Sequence, residues 1–116
     1  MKILLTLNDG PYGTERTYNG LRLAGAFARK EGVEVKVFLV GDAATSAKKG
    51  QKVPAGFYNV ETMIGTVARH GGLVGVCGSC MDARGLTEAE LTSGTQRSSL
   101  EEWTSWAAEA DQNFVF

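Results

Sequence analysis

Cys77 and Cys80 are the only cysteines in this chain of 116 residues, and they stand three positions apart in Cys77-Gly78-Ser79-Cys80. In a C-x-x-C pair each sulfur lies close enough to stabilise the other's thiolate, the form that attacks sulfur or binds metal. The pair directly follows the apolar run Leu73-Val74-Gly75-Val76, which places it at the carboxyl end of a strand. Arg84 follows in the same segment and has two readings. It can stabilise an anionic sulfur together with the amides of the turn, or it can brace the loop through carbonyls or by pairing with Asp82.

Metal binding fits the residue count poorly. Structural zinc takes four Cys or His ligands, and the chain supplies two cysteines and one distant histidine, His70. Only carboxylates or a second pair across an oligomer interface would complete such a site, so neither a metal nor another cofactor is expected. A disulfide oxidoreductase suits the pair better, although neither Pro11 nor Pro54 is placed as the proline that faces a thioredoxin-type motif.

A pair at a strand end needs a sheet to hold it. Lys2 to Leu7 is nearly continuously apolar, as in a strand buried on both faces of a parallel sheet. From Thr14 to Lys30, Leu21, Ala24 and Ala28 share a helical face with Leu23 and Phe27 beside it, and Gly32 follows where a C-cap belongs. Val33 to Val40 is rich in β-branched residues and predicts the second strand. A polar loop is expected from Gly41 to about Gly56. Its Lys48, Lys49 and Lys52 are solvated unless an acidic partner or an anionic sulfur donor uses them. Val60, Met63, Ile64, Val67 and Ala68 have helical spacing, and Leu73 to Val76 forms the third strand.

Capping boxes at Thr87–Glu90 and Ser99–Glu102 predict two more helices. The second, longer one has Leu100, Trp103, Ala107 and Ala110 as its buried stripe. Trp106 lies at the stripe's edge, placed for the core or for a subunit interface. Phe114 to Phe116 reads as a final strand. This alternation predicts an α/β fold: a mostly parallel, doubly wound sheet of four to five strands with helices on both faces.

Open parallel sheets bind and react at the carboxyl ends of their strands. The loops Asn8–Thr14, Gly41–Ala44 and Cys77–Gly85 meet there, so Cys77, Cys80 and Arg84 are the catalytic candidates. Asp9, Tyr12, Asp42 and Asp82 are the substrate-binding candidates, with Asx-turn formation as the competing role for Asp9 and Asp42. His70, feeding the third strand, belongs to the opposite edge and is read as a helix C-terminal residue interacting with the macrodipole. Gly10-Pro11-Tyr12-Gly13 matches neither phosphate-binding glycine pattern.

The size fits one domain, residues 1–116. With 12 basic and 13 acidic residues, no long-range field would attract nucleic acid or an anionic membrane. No run approaches the roughly 18 apolar residues of a membrane span, and the start lacks a secretory h-region. A cytosolic location is therefore expected, where a C-x-x-C pair more often does redox, sulfur or metal chemistry than structural cross-linking.

Four segments carry a family resemblance: Leu7-Asn8-Asp9-Gly10-Pro11-Tyr12, Phe38-Leu39-Val40-Gly41-Asp42-Ala43, Cys77 through Leu86, and Ala110 through Phe116. The chain resembles the DsrE/DsrF-like family, which includes the YchN-like sulfur-relay proteins, with the cysteine-to-Arg84-Gly85 segment as the most specific match. The resemblance implies a three-layer α/β/α sandwich, homo-oligomers of three or six copies or mixed hexamers, and sulfur transfer between donor and acceptor proteins or small persulfides. The family's persulfide-bearing cysteine maps onto Cys77. Cys80 departs from the branch in which that cysteine stands alone, and it could resolve a Cys77 persulfide. The alternatives are a thiol-disulfide redox protein using both cysteines and a non-catalytic oligomeric subunit.

Overall fold

The computed structural model describes residues Met1–Phe116. Strand β1 (Lys2–Leu7) is buried from Ile3 onward, as befits an interior strand covered on both faces. It is followed by helix α1 (Arg16–Ala28), β2 (Glu34–Leu39), α2 (Val60–Arg69), β3 (Leu73–Cys77), the short α3 (Gly78–Ala83), β4 (Thr95–Ser98), α4 (Leu100–Glu109) and β5 (Gln112–Val115). The sheet order is β4-β3-β2-β1-β5, and every pairing is parallel. β5 closes on β1 with the backbone N–H of Phe116 donating to the Thr6 carbonyl at 2.9 Å.

From β1 to β4 the chain steps in one direction across the sheet, and α4 then carries it back to the far side of β1. Right-handed crossovers put the forward and return connections on opposite faces. One face packs Ile3, Leu5, Val37, Leu39, Val74 and Val76 against α1 and α2 in an 18-residue cluster. The other packs Leu4 and Phe38 against Trp106 of α4. Alternate residues of β1 and β2 thus serve two cores, giving the expected α/β/α sandwich.

Several local expectations change. β4 is a fifth strand that periodicity missed, because Thr95-Gln96-Arg97-Ser98 contains no apolar residue and occupies the sheet edge. Gly41–Ala47 is a 3₁₀ helix and not a polar loop. Its Ala43, Ala44 and Ala47 are buried, their small side chains letting the backbone approach the core. The Thr87 capping box forms, but only over the 3₁₀ turn Glu88–Glu90. A cap starts a helix, and no apolar stripe follows here to propagate it.

In α4, Ser99 caps as expected, accepting the Glu102 amide at 3.2 Å, and Trp103, Ala107 and Ala110 of the expected stripe pack on the smaller core. Leu100 is 72% exposed, whereas Trp106 is buried. Trp106 meets Phe38 edge-on at 6.3 Å, and the half-buried Trp103 stacks on Phe38 at 4.6 Å while donating its indole N–H to Thr6 Oγ1 at 3.1 Å. Trp106 is therefore a residue of this chain's own core. Gly75 makes room for it, since a Cβ there would lie 3.0 Å from the indole ring.

Gly75→Ala is expected to destabilise the fold by about 1–3 kcal/mol through overpacking. Gly65→Ala, in the interior of α2 with nothing within 4 Å of the added methyl, should stabilise it by about 0.5–1 kcal/mol. Urea unfolding midpoints at unchanged m-value test both signs.

Candidate functional site

Cys77 ends β3 and is the N-cap of α3, with Ser98 of β4 opposite it in register. The segment expected as a loop from Cys77 to Gly85 thus begins with a short helix. The chain leaves β3 toward the larger core, where Met81 of α3 is buried, and leaves β4 toward the smaller one, where Trp106 is buried. Such a reversal marks the place at the carboxyl ends of the strands where open α/β sheets bind ligands, and the C-x-x-C pair stands there. Cys80 packs against the larger core and Cys77 against the smaller. The two are joined as a disulfide with Cα atoms 5.2 Å apart.

Each sulfur accepts one backbone amide. The N–H of Cys80 points to Cys77 Sγ at 3.3 Å, and that of Gly41 to Cys80 Sγ at 3.1 Å. Ser79 Oγ is 3.4 Å from Cys77 Sγ. Donors aimed at sulfur favour the thiolate once the pair is reduced. Gly41 has φ +60°, in the left-handed region that glycine adopts without a Cβ penalty.

The charged candidates pair with one another. Arg84 donates from Nε and Nη2 to Asp42 Oδ1 at 3.1 and 2.8 Å, and from Nη1 to the Cys80 carbonyl at 3.1 Å. These are bracing contacts, and the carboxylate partner is Asp42 in place of Asp82. Asp82 instead forms a bidentate pair with Arg97 of β4, both contacts at 2.9 Å. The Arg97 hydrogen bonds hold the Asp82 carboxyl below its ordinary value, and Asp82 raises Arg97 in return. Arg97 was not a sequence candidate. Its guanidinium lies over Gly78, where a Cβ would fall 2.8 Å from Nε. The one available signal was its place beside Ser98, and that needed β4 to be recognised.

Asp9 accepts from Thr14 Oγ1 at 2.7 Å and its carbonyl from Thr17 Oγ1 at 2.6 Å, closing the turn into α1. The Tyr12 hydroxyl accepts the Val60 amide at 3.2 Å and so ties this turn to the start of α2. Asp9, Tyr12 and Asp42 line an open depression of about 520 Å³, which the cysteines do not line. His70 sits at the C-cap of α2, with Nδ1 2.8 Å from the Thr66 carbonyl, at the opposite edge of the sheet. Lys48, Lys49 and Lys52 are exposed. No three His, Cys, Asp or Glu side chains converge, and no helix is long and apolar enough to cross a membrane.

The model of the DsrE/DsrF-like family matches residues 1–116. The chain belongs to the DsrE/DsrF-like family. Within it, Protein YchN of Escherichia coli K12 is 34% identical over 116 residues, covering 99% of this chain and 98% of that protein. An uncharacterized protein of Methanopyrus kandleri is 36% identical over 114 residues, 98% of this chain and 92% of that one. The crystal structure of E. coli YchN superposes with a TM-score of 0.93, covering 99% of this chain and 98% of that one. A Methanobacterium thermoautotrophicum protein of unknown function shares the fold at TM-score 0.78 and 11% identity. The shared fold accounts for the parallel sheet that carries Cys77 at the end of β3, and the Arg97–Asp82 pair lies beside that strand end.

Carboxyl NMR should place the Asp82 pKa below the unperturbed value of about 3.9, and Arg97→Gln should return it toward that value. Because the folded-state value is the lower one, the clamp's contribution to stability is present above the unfolded pKa. It is lost as pH falls through the lowered value, and Arg97→Gln should remove that part of the acid dependence.

Proposed function

We propose that this protein relays sulfane sulfur, carrying it as a persulfide on Cys77 and releasing it through Cys80. The observation that supports this reading is that Cys80 Sγ lies within bonding reach of Cys77 Sγ at the open carboxyl edge. Membership of the DsrE/DsrF-like family is consistent with sulfur relay. In the loading step, the Cys77 thiolate attacks the outer sulfur of a donor persulfide or polysulfide. A new S–S bond forms on Cys77, the donor's S–S bond breaks, and the donor thiolate leaves with the electron pair.

An acceptor thiolate can then take the outer sulfur. In the release step, the Cys80 thiolate attacks Cys77 Sγ, the Cys77–Cys80 disulfide forms, and hydrosulfide leaves with the electron pair of the broken bond. The sulfane sulfur is reduced by two electrons and the two cysteines are oxidised. A dithiol reductant then reopens the disulfide. The Cys80 and Gly41 amides supply the hydrogen bonds that stabilise anionic sulfur.

The disulfide itself favours a second reading, reversible thiol-disulfide exchange without retained sulfur. Intact-protein mass spectrometry after treatment with inorganic polysulfide separates the two. Under the relay, Cys80→Ser gains the mass of one sulfur atom that a reductant removes, Cys77→Ser gains none, and wild type releases sulfide as its disulfide forms. No sulfur retained by Cys80→Ser, with the wild-type disulfide formed and reopened by oxidised and reduced glutathione, would establish the exchange reading.

Family membership also supports assembly of several copies. Light scattering on a gel-filtration column should read a multiple of the 12.4 kDa chain. A clean monomer would remove that part of the proposal.

A further inference from the structure

We propose that Arg84 is a positioning residue: through Asp42 it holds the start of the 3₁₀ segment against α3, keeping the Gly41 amide on Cys80 Sγ and so preparing Cys80 as the attacking thiolate. This rests on the reading that Cys80 resolves a Cys77 persulfide. Gly41 and Cys80 are 39 residues apart and belong to different segments, so local sequence does not hold the donor on its acceptor. One side chain bridges the two backbones concerned. The Arg84 fork grips Asp42, the residue next to Gly41, with Nε and Nη2, and grips the carbonyl of Cys80 with Nη1.

All three guanidinium nitrogens are thus engaged with oxygen, and the group that donates to Cys80 Sγ is the Gly41 amide. Arg84 acts on the sulfur at one remove. A planar fork with fixed donors suits such a two-sided clamp better than a flexible ammonium does. The Asp42 side chain is 75% exposed, and exposed ion pairs contribute little to stability. Loss of the clamp should therefore change the sulfur chemistry while leaving the fold's stability nearly unchanged. Arg97 has a different role, since its carboxylate partner Asp82 lies within α3 and its guanidinium covers Gly78.

The test measures Cys80 alone, as the rate of its alkylation by iodoacetamide at neutral pH in a Cys77→Ser background. Arg84→Gln and Asp42→Asn should each slow the reaction about threefold, a hydrogen bond worth about tenfold in thiolate population being partly offset by the greater nucleophilicity of a more basic thiolate. The double variant should be no slower than either single one, because both break the same clamp. Arg84→Lys should recover part of the rate.

In the two-cysteine protein, equilibrated with reduced and oxidised glutathione, Arg84→Gln should make the disulfide about tenfold harder to reduce, about 30 mV for a two-electron couple. Urea midpoints should stay at the parent value. An unchanged alkylation rate in Arg84→Gln overturns the proposal, as do additive effects of the two substitutions or losses that track a lowered unfolding midpoint. No sulfur donor enters these measurements. The clamp can therefore fail while Cys77 still takes up sulfur, and the relay can fail while the clamp stands.

Discussion

The handedness of the crossover that returns the chain from β4 to β5 is the constraint on which the rest of the structure depends. Because β-α-β units are right-handed, reversing direction across the sheet forces α4 onto the face that α1 and α2 leave free. That places the exits of β3 and β4 on opposite sides of the sheet at the point where Cys77 faces Ser98 in register. It also requires β2 to serve two cores, with Val37 and Leu39 on one side and Phe38 on the other. The site is a product of topology before it is a product of any single side chain.

At that strand end the sulfur environment is built mainly from amides. Both nearby guanidiniums are matched by carboxylates, Arg84 by Asp42 and Arg97 by Asp82, so the cysteines receive directed hydrogen bonds where an unpaired cation would give a broad field. A directed donor is sensitive to sub-ångström placement. The paired charges therefore tie α3 to the 3₁₀ segment on one side and to β4 on the other, while contributing little stability at such exposure.

What the sequence disclosed follows from where burial leaves a periodic record. β1, β2, β3, α1 and α2 were legible because both faces of the inner strands and one stripe of each helix are apolar. β4 left no such record, being four polar residues on an edge, and Arg97 was hidden with it. The alanines of Gly41–Ala47 are too small to stand out as core, although their smallness is what lets the segment bring Gly41 to Cys80. Trp106 was ambiguous because helical spacing puts it at the edge of a stripe whose Trp103, Ala107 and Ala110 pack on the same core. The facing Gly75 leaves the room its indole needs, and a vacancy on another strand cannot be read from helical spacing. The cysteine pair and its strand were plain from local order, whereas the partner of Arg84 depended on a contact 42 residues away.

The pairing of β1 with both β2 and β5 has a consequence for synthesis. β2 can dock on β1 early, but the other edge of β1 waits for residues far along the chain, as the Asn8 side chain shows by donating to the Phe116 carbonyl across 108 positions. Until then that edge stays an open template with unpaired backbone groups, the kind of surface through which nascent chains associate wrongly. The most buried strand of the finished sheet is thus the one that stays incomplete longest on the ribosome.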